Sequence, residues 1–323
     1  MRFRRLWRMW YCAAIIAPVV LLAACSEPLV EPRAPRIPTT VIDRYNAIVA
    51  TAEAGDDLLA RARAYYDRGN IRFEQQDYPG AIADYDQALT LDPSMSRAFH
   101  NRGLAYALLG EYDAALRDYA QAIRLDPAYR RAYENRVQLL EQLTASSSDE
   151  TLLQQLADDY GSLAQLIPEA EAPYRYRQGV ILVRLGDRTA AREAFDAVLR
   201  ARPQDVDALY ERALLHYSAG DLNAALADLD AALRLSPRAA NAYYTRGLVR
   251  YAQGNTRDAI ADFGQALLLQ PAYPEALIAR ASAYVDQGNR TAAQADLQRL
   301  DDLQLDPVLQ QAREALRQRI SVP

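Results

Sequence analysis

Lysine is absent from this 323-residue chain: all 37 basic residues are arginine, against 42 acids, for a formal net charge of −5. We read this as a codon-composition bias with no function attached. The first 25 residues carry Arg2, Arg4, Arg5 and Arg8 and no acid, so a chain starting after them would sit at −9. An acidic body is a poor binder of a phosphate backbone, and no nucleic acid partner is expected. The two cysteines, Cys12 and Cys25, both lie near the start, which leaves the body no disulfide and no Cys-ligated zinc. His100 and His216 are the only histidines, so neither metal catalysis nor a nucleophile and base pair can be assembled from spacing. No catalytic residue, metal or cofactor is expected, and the chain reads as nonenzymatic. Half its residues are nevertheless hydrophobic, enough to bury a long core.

What the chain has instead is a repeat. Residues 96–129 read SRAFHNRGLAYALLGEYDAALRDYAQAIRLDPAY. Counted from Ser96, position 4 is Phe99, 7 and 8 are Arg102 and Gly103, 11 is Tyr106, 15 is Gly110, 20 is Ala115, 24 is Tyr119, 27 is Ala122 and 32 is Pro127. That layout resembles the tetratricopeptide repeat, a helix-turn-helix of about 34 residues. The resemblance implies an all-α, right-handed superhelical solenoid of about seven repeats, at 62–95, 96–129, 130–171, 172–205, 206–239, 240–273 and 274–305. Gly or Ala at positions 8, 20 and 27 lets the two helices of a repeat interdigitate, and aromatics at 4, 11 and 24 are expected to fill the spaces between repeats. Glycine at 15 supplies the left-handed turn that ends the first helix. The third repeat departs from this pattern. It carries an insert, TASSSDE at 144–150, and holds Val137, Leu156 and Leu163 at the small positions, which predicts a softer joint. A helix within 41–61 and another within 306–323, opened by Asp306 and Pro307 as N-cap and N1, are read as the two caps.

Position 7 is arginine in six repeats (Arg68, Arg102, Arg136, Arg212, Arg246, Arg280), and position 23 is aspartate in the same six (Asp84, Asp118, Asp159, Asp228, Asp262, Asp296). The repeat at 172–205 lacks both, having Gln178 and Ala194. Joint loss in one copy predicts pairing between the two helices of a repeat, through a bidentate guanidinium–carboxylate contact. The other reading makes these arginines the lining of a ligand groove.

Arrays that this one resembles bind peptides or partner helices on a concave face lined by first-helix positions 2, 5, 9, 12 and 13. Carried over, that selects Tyr66, Asn70, Phe73, Arg97, His100, Arg131, Tyr176, Tyr210, Tyr217, Tyr244 and Tyr251. Tyrosine combines apolar area with a polar tip at low entropic cost, as a peptide surface requires. The alternative is that part of this set is packing. His100 is expected to stand exposed in the groove and His216 to pack between helices. The basic clamp of chaperone-binding members is missing, since Tyr66 and Glu74 flank Asn70 at the clamp positions.

Residues 1–25 read as a basic segment, an apolar run and a small-residue exit, Leu22-Ala23-Ala24-Cys25. The exit resembles the lipobox of bacterial lipoproteins, which implies cleavage before Cys25 and lipidation (palmitate among the acyl chains) of its sulfur. Residues 26–40, with prolines at 28, 32, 35 and 38, then form a semi-rigid spacer. Together the resemblances are to envelope adaptor lipoproteins of the new-lipoprotein-I type: lipid-anchored scaffolds on the periplasmic side of the outer membrane that bind an envelope protein or peptide. Outer-membrane protein assembly, pilus biogenesis and glycan or solute binding stay open as alternatives. The last helix either caps one chain or docks on a second copy as a homodimer.

Overall fold

Sixteen α-helices and one short 3-10 turn, with no strand among them, make up residues 39–321, which are those this computed structural model describes. The leader, Cys25 and residues 26–38 of the proline-rich spacer lie outside the described residues; Thr39 and Thr40, read from the sequence as the end of the spacer, are instead the first residues of a helix. The chain divides into two compact units between Gly186 and Asp187.

The first unit holds α1 (Thr39–Glu53), α2 (Leu58–Glu74), α3 (Tyr78–Leu91), α4 (Ser96–Leu108), α5 (Tyr112–Leu125), α6 (Arg130–Thr144), α7 (Glu150–Leu166) and α8 (Glu171–Leu185). The second holds α9 (Arg188–Ala201), α10 (Val206–Ala219), α11 (Leu222–Leu235), α12 (Ala240–Ala252), α13 (Thr256–Leu269), α14 (Pro274–Asp286), α15 (Arg290–Arg299) and α16 (Pro307–Ser321). Within each unit every helix packs on the next in sequence, and the first helices of successive repeats also touch: α2 on α4, α4 on α6, α10 on α12, α12 on α14.

The helix expected within 41–61 ends at Glu53, and the first repeat's opening helix starts earlier than residue 62. Asp57 sets that start, its Oδ1 accepting from the N–H groups of Leu59 and Ala60 at 3.0 Å each. At the other end Asp306 accepts from Leu309 N–H at 2.8 Å and opens α16, which buries Leu309 and Leu316 against α14 and α15.

Small residues bring the hairpins together. Ala81, Ala115, Ala191, Ala225, Ala259 and Ala293, all at position 20, have no exposed surface. At position 8, a Cβ on Gly69, Gly103 or Gly247 would lie 2.8, 3.0 and 2.5 Å from the rings of Tyr85, Tyr119 and Phe263. The position-24 aromatic therefore stacks on the glycine of its own repeat. This corrects the expectation that it fills space between repeats: only a residue without a side chain lets the ring lie against the helix backbone. Five position-15 glycines adopt φ between +78° and +82°, while the first repeat has Gln76 there at φ +64°.

The third repeat fills its seam with larger side chains: Val137, Leu156 and Leu163 are all buried. Its insert is tied down from α8, where Arg184 donates to the carbonyls of Thr144 (2.8 Å) and Ser147 (3.1 Å). The repeat placed at 172–205 spans the division between the units: α8 packs on α7, and α9 packs on α10. Gln178, in the seam-arginine position, donates Nε2 to the Ala157 carbonyl of α7 at 3.1 Å. A Cβ on Gly161 would stand 2.6 Å from that nitrogen, so the glycine is what admits it.

All six arginine–aspartate pairs are formed, each with two bonds. Nε and one terminal nitrogen reach the two carboxylate oxygens at 2.9 and 2.7 Å for Arg68–Asp84, 2.7 and 2.7 Å for Arg102–Asp118, and 2.7 and 2.5 Å for Arg136–Asp159. The distances are 2.8 and 2.6 Å for Arg212–Asp228, 3.0 and 2.7 Å for Arg246–Asp262, and 2.8 and 2.6 Å for Arg280–Asp296. The guanidiniums also lie over the position-4 rings of Tyr65, Phe99, Tyr133 and Tyr243 at 5.3–6.0 Å.

Sequence reasoning missed the third member of this seam. Asp86, Asp196 and Asp230, at position 25, accept from the remaining nitrogen of Arg102, Arg212 and Arg246 in the following repeat at 2.5, 2.7 and 2.7 Å. Each of these arginines therefore closes its own hairpin and ties it to the hairpin before. Burial alone would lower the pKa of Arg102, but the hydrogen bonds and charges of Asp118 and Asp86 raise it instead.

Candidate interaction faces of the two units

With arginine committed to the seam, the face left to consider is formed by positions 2, 5, 6 and 9 of the first helices. These offsets of three and four residues share one side of a helix. In the first unit Tyr66 lies 6.0 Å, ring to ring, from Tyr85, and Asn70 Oδ1 accepts from the Tyr85 hydroxyl (2.9 Å) and from Asn101 Nδ2 (2.8 Å). Asn101 Nδ2 also reaches the Tyr66 hydroxyl at 3.3 Å.

His100 is 5% exposed, which corrects the expectation that it stands free in the groove. Its ring lies 6.0 Å from Tyr119 beneath and 5.0 Å from Tyr129 above. One neutral tautomer satisfies it: Nδ1–H donates to Asn101 Oδ1 (2.9 Å), with the Tyr129 hydroxyl 3.2 Å away, and Nε2 accepts from Asn135 Nδ2 (2.9 Å). Burial lowers its pKa. A ring held neutral on all sides is a structural element of the network, and no acceptor remains for base chemistry.

Phe73 is partly exposed, its ring 5.3 Å from that of Tyr78 across its own hairpin. Arg97 and Arg131 are exposed, and Tyr176 is partly exposed on α8.

The second unit repeats the sandwich of the first. Tyr244, 5% exposed, lies 6.0 Å from Phe263 and 5.0 Å from Tyr273, matching His100 between Tyr119 and Tyr129. Tyr244 is thus packing rather than open groove. In both units a tyrosine at position 34 folds back over position 5 and takes its place at the surface, a role the carried-over positions could not show. Tyr210 and Thr245 share a hydrogen bond of 3.2 Å between α10 and α12. Tyr217 packs partly buried against the core of α10 to α12, and burial pushes its hydroxyl up to about 12. Tyr251 donates to Asp286 on α14, whose other oxygen accepts from Arg319 of α16 at 2.7 Å. It joins three helices and is not a free groove side chain.

Glu211, at position 6 where the first unit has Asn101 and Asn135, was not singled out from sequence. Burial, and then the charge of Asp207 one turn earlier, pushes its carboxyl up to about 7. A shallow depression of about 390 Å³ between α9 and α10 is lined by Asp196, Arg200, Leu209 and Arg212. Asp196 and Arg212 pair with each other there, at 2.7 Å, so they belong to the seam. Among the described residues no three His, Cys, Asp or Glu side chains gather as a metal site, and no helix is long and apolar enough to cross a membrane.

Family models described as TPR repeat or tetratricopeptide repeat match residues 62–110, 96–129, 176–243 and 244–307, together more than half of the chain. The chain belongs to the tetratricopeptide-repeat proteins, a family of protein–protein interaction scaffolds that are generally noncatalytic. Among solved structures it is similar to the C-terminal part of a TPR repeat-containing protein from Cytophaga hutchinsonii, at 15% identity and a TM-score of 0.51, over 76% of this chain and 98% of that one. A tetratricopeptide repeat protein from Parabacteroides merdae matches at 18% identity and TM-score 0.42, over 79% and 98% of the two chains. Pseudomonas aeruginosa pilF matches at 18% and 0.39, over 67% and 94%. These likenesses concern the fold alone. No curated protein matches.

Proposed function

We propose that this protein is a nonenzymatic adaptor of the bacterial cell envelope, anchored by lipid on Cys25 to the periplasmic side of the outer membrane, which holds a peptide or partner protein on the first-helix faces of its two units. The observation that carries the binding role is the contrast between two sets of polar groups. The seam arginines and aspartates consume one another, whereas the face at positions 2, 5, 6 and 9 presents tyrosine, asparagine and unpaired charge in each unit. The leader with its Leu22-Ala23-Ala24-Cys25 exit supports the anchor, and acyl chains at about 0.8 kcal/mol per buried methylene would hold it durably.

Two measurements test this. Crosslinked pull-down from intact envelopes recovers one or a few proteins if the reading holds, whereas recovery of none, with retention on purified peptidoglycan, would favour a glycan-binding role. Cys25→Ser leaves the detergent phase or accumulates as precursor; unchanged partitioning removes the anchor from the account.

A further inference from the structure

In a chain with 37 arginines, positions 2, 5, 6 and 9 of α10, α12 and α14 hold none, whereas Asp207, Glu211 and Glu275 all lie there. None of the three acids has a hydrogen bond or an ion pair through its side chain among the described residues. The Glu211 charge acts on Tyr210, and the Glu275 charge acts on Tyr244 and Tyr273, so an acid stands at each end of a row of tyrosines. Tyr244 is the centre of that row. It is 5% exposed, its ring is 5.0 Å from that of Tyr273, and its hydroxyl has no hydrogen-bond partner among the described residues. A phenol so deeply set with its hydroxyl unsatisfied is uncommon in a folded chain. The first unit differs at the same place: His100 takes the position of Tyr244, and Asn101 and Asn135 satisfy both its nitrogens. Glu211 stands at the position of those asparagines, and its burial disfavours its charge. An acid held at that cost to stability marks a site with a use beyond folding.

We infer that the tyrosine row of the second unit, with Glu211 and Glu275 at its ends, receives an arginine side chain of the partner protein. This rests on the adaptor reading above and names the partner's chemistry at one of its faces. A guanidinium has only N–H donors and no acceptor, which matches a site of hydroxyl and carboxylate oxygens with no resident cation. Its flat face also lies well on a phenol ring, a contact that this chain's own seam arginines make with Tyr65, Tyr133 and Tyr243 at 5.3–6.0 Å. Lysine suits the row less, because its ammonium is compact, strongly hydrated and unable to stack. The first unit does not offer the same site: the charges of Arg97 and Arg131 both act on Tyr129, so its aromatic sandwich repels a cation.

The test is fluorescence anisotropy with the purified full chain in detergent, at about 0.15 M salt so that long-range attraction to an acidic protein is screened. Three labelled peptides of glycine and serine differ only in two central residues, which are arginine, lysine or citrulline, the neutral isostere of arginine. The arginine peptide is expected to bind at least tenfold more tightly than the citrulline peptide and at least threefold more tightly than the lysine one. Glu211→Gln with Glu275→Gln should weaken it at least tenfold, and Tyr244→Phe at least threefold. Glu193→Gln with Asp302→Asn removes the same charge from exposed sites of the second unit and should leave binding within twofold. Equal binding of the arginine peptide and either of the other two, or equal loss in the two double variants, overturns the inference. Spermidine bound at the row, with no arginine peptide bound, would make a free polyamine the ligand and overturn it as well. So would a dimer of the peptide-free chain that Glu211→Gln with Glu275→Gln dissolves, since a second copy would then be the occupant. If that double variant still recovers the envelope partner, this inference falls and the adaptor reading stands; if the unaltered chain recovers none, the adaptor reading itself falls.

Discussion

Replacing Arg102 with methionine strands Asp118, whose side chain is only 8% exposed, without its bidentate partner, and frees Asp86, which at 47% exposed can hydrate. The loss is therefore dominated by one buried, uncompensated carboxylate, about 3–5 kcal/mol. In a unit of this size that lowers the melting temperature by about 6–20 °C, at roughly 2–4 °C per kcal/mol. Removing Asp118 as well, as Arg102→Met with Asp118→Leu, should restore most of the stability, because an apolar pair of similar volume carries no desolvation cost. The coupling from the double-mutant cycle is then about 2–3 kcal/mol. Arg102→Lys should fall between, losing the fork but keeping a charge. The assay is urea unfolding with hydrogen exchange over α4 and α5, which separates this hairpin from the second unit. A cost below about 0.5 kcal/mol for Arg102→Met, or no coupling in the cycle, would refute the claim that these pairs hold the hairpins.

The remaining expectations are shorter. Gln76→Gly relieves the one left-handed non-glycine among the described residues and should stabilise the first unit by about 0.5–1 kcal/mol, read as a higher urea midpoint. Gly247→Ala places a methyl 2.5 Å from the Phe263 ring and should cost about 1–3 kcal/mol; the cost should shrink in a Phe263→Leu background, and an unchanged cost would contradict the close approach. Glu211 keeps its proton in the folded state up to about pH 7, whereas the unfolded carboxyl releases it near 4.5, so the stability this group adds is full below pH 4.5 and lost as pH rises through 7. Glu211→Gln should therefore raise the unfolding free energy at pH 8 by about 1–2 kcal/mol after allowance for partial exposure, and give no gain at pH 4. A gain of equal size at both pH values would contradict the assignment.

The seam was legible in the sequence because its two halves vanish together: Gln178 and Ala194 replace both partners in one repeat. Its extension to Asp86, Asp196 and Asp230 was not, since three aspartates at a position that otherwise holds Ala120, Gly161, Gly264 and Gln298 look like ordinary surface acids until the helix before is seen beside the arginine it serves. Of the first-helix positions carried over for a groove, several hold side chains that the structure packs rather than leaves open. Position 5 is a surface position only if nothing covers it, and the turn tyrosines Tyr129 and Tyr273 lie outside the helices from which the groove was derived. His100 and Tyr244 are buried for that reason. Glu211 gave no signal beyond its alignment with Asn101 and Asn135, because an unpaired acid becomes unusual only once its neighbours are known.

The central claim is that partners engage the first-helix faces. A photo-crosslinking residue placed at Arg97 on α4 or Asn241 on α12, in cells producing the full chain, should give discrete adducts with an envelope protein. The same residue at Leu268 on α13, which is 73% exposed but belongs to a second helix, should give none. Adducts from Leu268 alone, or from none of the three in a folded, correctly localised protein, would contradict the account.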